Sequence, residues 1–168
     1  MNFLNSIRIA ALISLPLGLV GFPAASWAGE DARLASSYKS IINIRNVFPG
    51  DKTCPSGWVP VGDSGDGLDP FGADLTLTEQ LCANPSIGAF FGRFTIKHSA
   101  VDSYGGVFNG TFVPSGEMLE VHATWRITQG TGRFSDISGA GTGKGIATVM
   151  DGHPGPGSVL LDGSLTKR

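Results

Sequence analysis

Between Met118 and Thr128 apolar and polar residues alternate without a break. Leu119, Val121, Ala123, Trp125 and Ile127 fall on one side, and Glu120, His122, Thr124 and Arg126 on the other. A period of two marks a half-buried β-strand, because successive strand side chains point to opposite faces. Ala73 to Leu81 has the same pattern, with Leu75, Leu77, Glu79 and Leu81 sharing a face. In Gly88 to Ser99 the shared face carries Phe90, Phe94, Ile96 and His98, and in Val107 to Val113 it carries Phe108 and Phe112. Ser40 to Phe48, Gly139 to Met150 and Ser158 to Lys167 are further β-rich runs. Pro and Gly punctuate them, as in Pro49-Gly50 and Pro114 to Glu117. Asp51 to Gly72, with three prolines, five glycines and four acidic residues, reads as an irregular loop. Short turns between neighbouring runs imply antiparallel pairing, in either a sandwich or an up-and-down barrel.

The N-terminal segment departs from this pattern. Arg8 precedes an uncharged, mostly apolar run from Ile9 to Val20, and Ala25-Ser26-Trp27-Ala28 then offers small residues at Ser26 and Ala28. These are the parts of a signal peptide, so cleavage is expected after Ala28 and a single domain over residues 29–168. The apolar run is shorter than the roughly 20 residues a spanning helix needs, and Pro16 and Gly18 interrupt it. Stable membrane insertion is therefore not expected, and the compartment is read as secreted or periplasmic. The leader holds one of the 12 basic residues and none of the 14 acidic ones, so about 140 residues remain with a mildly negative charge and no basic stripe. That argues against a nucleic-acid partner. Of 25 glycines, 23 follow residue 28, about twice the usual share, which fits strands joined by tight turns. In an oxidising compartment Cys54 and Cys82 are expected to form a disulfide. By loop entropy it would stabilise the fold by about 3.5 kcal/mol.

One segment is more specific. Ile127-Thr128-Gln129-Gly130-Thr131-Gly132-Arg133-Phe134, followed by Gly139, Gly141 and Gly143, resembles the I-T-G-G-T-G-R-F…G-x-G signature of barrels related to allene oxide cyclase and dirigent proteins. Gly92 to Ile96 and Gly105 to Thr111 resemble the preceding hairpin of small exported bacterial members, so the resemblance runs from about Ile87 to the C-terminus. Gln129 and Ile137 depart from the pattern. The resemblance implies a closed antiparallel barrel of about eight strands. The eighth would be hidden in Asp51 to Gly72 or formed by a split of the glycine-rich segment. It also implies a homo-oligomer as one form, since such barrels often assemble. The motif itself reads as a structural turn. Gly130 and Gly132 permit positive φ, Arg133 can reach carbonyls or a carboxylate across the bend, and Phe134 can plug one end.

Candidate chemistry is sparse. Gly139 to Gly145 lacks the first glycine and the Ser or Thr of a phosphate loop. Asp63, Asp66 and Asp69 lack calcium-loop spacing and read as a solvated acidic loop. His98, His122 and His153 have no metal-ligand spacing, and His122 with Glu120 reads as a solvent face. No cofactor and no metal is expected. The apolar faces point instead to an exported, non-enzymatic barrel that binds a small apolar or amphipathic ligand. Its pocket would be lined by Phe90, Phe94, Ile96, Phe108, Phe112, Val121 and Trp125. The alternatives are a cyclase, isomerase or dirigent-like guide for a reactive intermediate, and a self-associating surface protein. Glu79, which breaks a leucine face, and His98, which ends an aromatic one, are the polar rim candidates. No catalytic residue is assigned.

Overall fold

The computed structural model describes residues 36–167, and the leader expected over residues 1–28 lies outside them. Eight strands follow in series: β1 (Ser36–Pro49), β2 (Val59–Asp69), β3 (Gly72–Asn84), β4 (Ala89–Lys97), β5 (Ser103–Ser115), β6 (Met118–Thr131), β7 (Ile137–Met150) and β8 (His153–Lys167). Each pairs antiparallel with its chain neighbours, and β1 closes onto β8 to complete a barrel. Closure leaves no open sheet edge around the ring. A single short 3₁₀ turn, Gly132–Phe134, links β6 to β7.

The stretch expected to be a loop contains β2, so the eighth strand lies within Asp51 to Gly72. Composition concealed it. Gly65 and Gly67 occupy positions that pair with Leu77 and Leu75, where apolar side chains would have completed an alternating pattern. Strand conformation there comes from ladders to β1 and β3 on either side rather than from propensity. Pro154 and Pro156, which fall between the last two β-rich runs of the sequence, lie in β8. The β1–β8 ladder stops at Ile44 and Gly157, so this part of β8 faces no β1 partner and tolerates residues without an N–H. The connection before it is the two-residue turn Asp151-Gly152, whose φ values of 48° and 81° suit a tight hairpin.

Register sets what fills the interior. Gly139, Gly141, Gly143 and Gly145 of β7 stand opposite Ile127, Trp125, Ala123 and Val121 of β6. They leave this wall without side chains, and the Trp125 ring lies in the recess. A Cβ at Gly141 or Gly163 would come within 2.6 Å of the indole. The indole N–H donates to the Thr142 carbonyl at 3.0 Å. The glycine-rich run is thus a seat for one large side chain.

Outside the barrel, the segment between β1 and β2 is stapled to the wall. Cys54 and Cys82 form a disulfide with Cα atoms 5.7 Å apart, and Cys82 is fully buried. Trp58 packs edge-on against Phe91 with centroids 5.0 Å apart, and the Lys52 ammonium lies 4.8 Å from the same ring. Phe91 is therefore covered by this strap, not by the barrel interior.

Candidate functional site

The barrel has two unlike ends. One is closed by aromatic side chains from its turns. Phe134 lies 5.0 Å from Phe71, 5.2 Å from Tyr104 and 5.1 Å from the His98 ring, measured between centroids. Gly132 begins this turn at φ 56°, a left-handed conformation that favours glycine. Gly130 does not share that conformation. It is needed because a Cβ there would run into the Phe134 carbonyl. The Arg133 backbone N–H donates to Asp102 Oδ1 at 2.9 Å, and its guanidinium reaches the Phe71 carbonyl at 3.5 Å.

Beneath that plug is a buried polar cluster. Asp69 Oδ1 accepts the Phe71 N–H at 2.9 Å. Asp69 Oδ2 accepts the Tyr104 hydroxyl at 2.5 Å and lies 3.0 Å from His98 Nε2. Tyr38 and Tyr104 hydroxyls are 2.9 Å apart. With Tyr104 donating to Asp69, the Tyr38 O–H donates to Tyr104. Burial pushes both phenols above their ordinary range, so they remain donors. Every carboxylate oxygen here has a partner, and the cluster is a satisfied internal brace. His98 belongs to this brace rather than to the cavity.

Above it, in the middle of the barrel, is a cavity of about 110 Å³. Phe90, Phe94 and Ile96 of β4, Phe108 of β5, and Val121 and Trp125 of β6 line it. Phe112 points inward as well but stacks behind Phe90, with centroids 6.3 Å apart. Pro154, Gly157, Ser158 and half-exposed Ile146 lie along the lining, as does Ile44. This is where the β1–β8 ladder ends, so the cavity reaches the surface at that seam. Apolar cavities of about 150 Å³ take benzene, so this space suits a small molecule or the end of a longer one.

Two polar side chains enter this apolar space. Asp63 of β2 and Glu79 of β3 are direct cross-strand partners, and both line the cavity. Asp63 keeps only 6% exposure, and its Oδ1 has no hydrogen-bond partner among the described residues. Burial raises its carboxyl to about 6, partly offset by the neighbouring Glu79. Glu79 lies deep in the barrel and is accessible only in part. Burial first, and then the adjacent Asp63 charge, push it well above the usual carboxylate range. Two carboxyls this close in an apolar setting do not both ionise readily, so both are held above the ordinary range and the pair keeps a proton between them after a free carboxyl would have lost it.

Glu79 is visible in the sequence as a break in a leucine face, whereas Asp63 reads there as part of a solvated acidic loop. Its signal is the phase Val59, Val61, Asp63, which places the carboxylate inward once this run is a strand. The solvated-loop reading of the three aspartates holds only for Asp66, which pairs with Arg45 at 2.8 Å on the outside. Asp63 and Asp69 are buried. His122 and Glu120 are exposed on the outer face of β6. Among the described residues no group of three or more His, Cys, Asp or Glu side chains is placed to hold a metal ion.

Fold and site together define an up-and-down β-barrel with an apolar internal chamber carrying a pair of carboxyl groups. No protein-family model matches the chain, and no curated protein and no solved structure matches it either.

Proposed function

We propose that this is an exported binding protein that takes a small, largely apolar molecule into the barrel. The observation that carries this reading is the chamber itself. It is walled by aromatic and aliphatic side chains, open at one seam and marked by a single polar spot. A barrel serving only as a scaffold would fill the same space with side chains, whereas here a cavity of about 110 Å³ stays open between them. The disulfide supports an oxidising compartment.

Native mass spectrometry with a graded series of small alcohols and terpenoids tests it. Wild-type protein forms one-to-one adducts with the smaller members. Ala123→Leu fills the chamber and removes them with little change in Tm, and Val121→Ala admits larger members. Absence of adducts across the whole series would defeat the reading.

The carboxyl pair favours a second reading, an isomerase or cyclase that uses Asp63 as base and Glu79 as acid on a reactive intermediate. One proton shared between two groups in a dry site is the arrangement such chemistry requires. Turnover in a metabolite screen that disappears in Glu79→Gln would establish it. A screen with adducts but no turnover leaves the binding role alone.

A further inference from the structure

The polar spot in the chamber has an identifiable preference, an inference that rests on reading the chamber as a binding site. Asp63 is more than nine-tenths buried, and its Oδ1 accepts no hydrogen bond from the described residues. A buried acceptor without a donor is costly, so this atom calls for a donor from whatever occupies the cavity. The neighbouring Glu79 carboxyl hydrogen-bonds Asp63, yet Oδ1 still has no partner among the described residues. Asp63 and Glu79 aside, the residues that line the chamber from all eight strands include no titratable side chain. No Lys, Arg or His lines the chamber, so its anionic charge has no internal counter-charge.

We propose that the chamber selects small amphipathic amines, with the ammonium group seated against Asp63 and Glu79 and the hydrocarbon part among Phe94, Phe108 and Trp125. Three features support a cation over other donors or ions. A charged donor to a carboxylate makes the stronger hydrogen bond. Aromatic faces in the same chamber add attraction for an organic cation and none for an anion. A hard metal ion such as calcium wants about six to eight oxygens, far more than two carboxyl groups supply. With one proton held between the two carboxyls, the pair carries one negative charge, matching one ammonium. Binding is then strongest above about pH 6, where Asp63 is ionised, and below the ordinary range for amines near 10.

Isothermal titration of the full chain with hexylamine, 1-hexanol and hexanoate at pH 8 tests the proposal. Hexylamine binds about ten-fold more tightly than 1-hexanol, the step expected between a charged and a neutral donor, and hexanoate binds more weakly than both. Asp63→Asn, nearly isosteric, brings the amine-to-alcohol ratio close to one, and so does lowering the pH to 5. If 1-hexanol binds as well as hexylamine to the wild type, amine selection is wrong while the chamber remains a binding site. If none of the three binds, both readings fall.

Discussion

Asp63 and Asp69 lie on one strand and are hidden to nearly the same degree, with 6% and 5% exposure. Asp69 is fully engaged, taking the Phe71 N–H on one oxygen and meeting Tyr104 and His98 with the other. Asp63 faces another carboxyl, and one of its oxygens has no partner among the described residues. Burial alone therefore does not define what a carboxylate does. The donors around it decide, making one group a brace for the closed end and the other a costly spot facing a cavity. Burying Asp63 costs stability in a place where the fold has no need of a charge, and the proposed ligand site gives that cost a purpose.

The largest expected difference between the two comes from removing Asp69. Asp69→Ala leaves a backbone N–H, a tyrosine hydroxyl and a histidine without their acceptor. It should lower unfolding free energy by about 3–5 kcal/mol in a urea titration. A loss below about 1 kcal/mol would show that water replaces the brace. Asp63→Asn has the opposite sign. It removes a buried charge and should stabilise the folded protein at pH 8 by about 2 kcal/mol.

The pH dependence sharpens the contrast. Asp63 has a raised carboxyl in the fold, so the folded state holds this proton more tightly than the unfolded chain does. Its contribution to stability is present below pH 4 and is lost as pH rises through about 6. The stability gap between Asp63→Asn and wild type should therefore open between pH 4 and 7, and Glu79 extends it upward. A gap that stays constant over this range would place Asp63 in water. The smallest effect is expected at Gly132. There φ is 56° and a Cβ would lie 2.7 Å from the Val101 carbonyl, so Gly132→Ala should lower Tm by a few degrees without changing ligand preference.

Much of the barrel was legible from alternation alone, most plainly in β6, where five apolar residues face inward against four polar ones. β2 was illegible for a physical reason. Its inner face reads Val, Asp, Gly, Gly, so the apolar beat that marks a strand is missing where the cavity pair and close backbone packing lie. The site was half visible for the same reason. Glu79 interrupts a run of leucines and stands out, whereas Asp63 sits in a run that looks like a turn. The brace of Tyr38, Asp69, His98 and Tyr104 draws one residue from each of four strands or their ends, and local patterning cannot reveal such a meeting.

The most direct measurement is a carbon-detected NMR titration of the Asp63 and Glu79 side-chain carboxyls in the unliganded protein. The account predicts a midpoint for Asp63 near 6 and one for Glu79 well above its ordinary value, with each signal sensing the other's titration. Two independent midpoints near 4 would mean solvated carboxylates, and the apolar chamber with its shared proton would be contradicted.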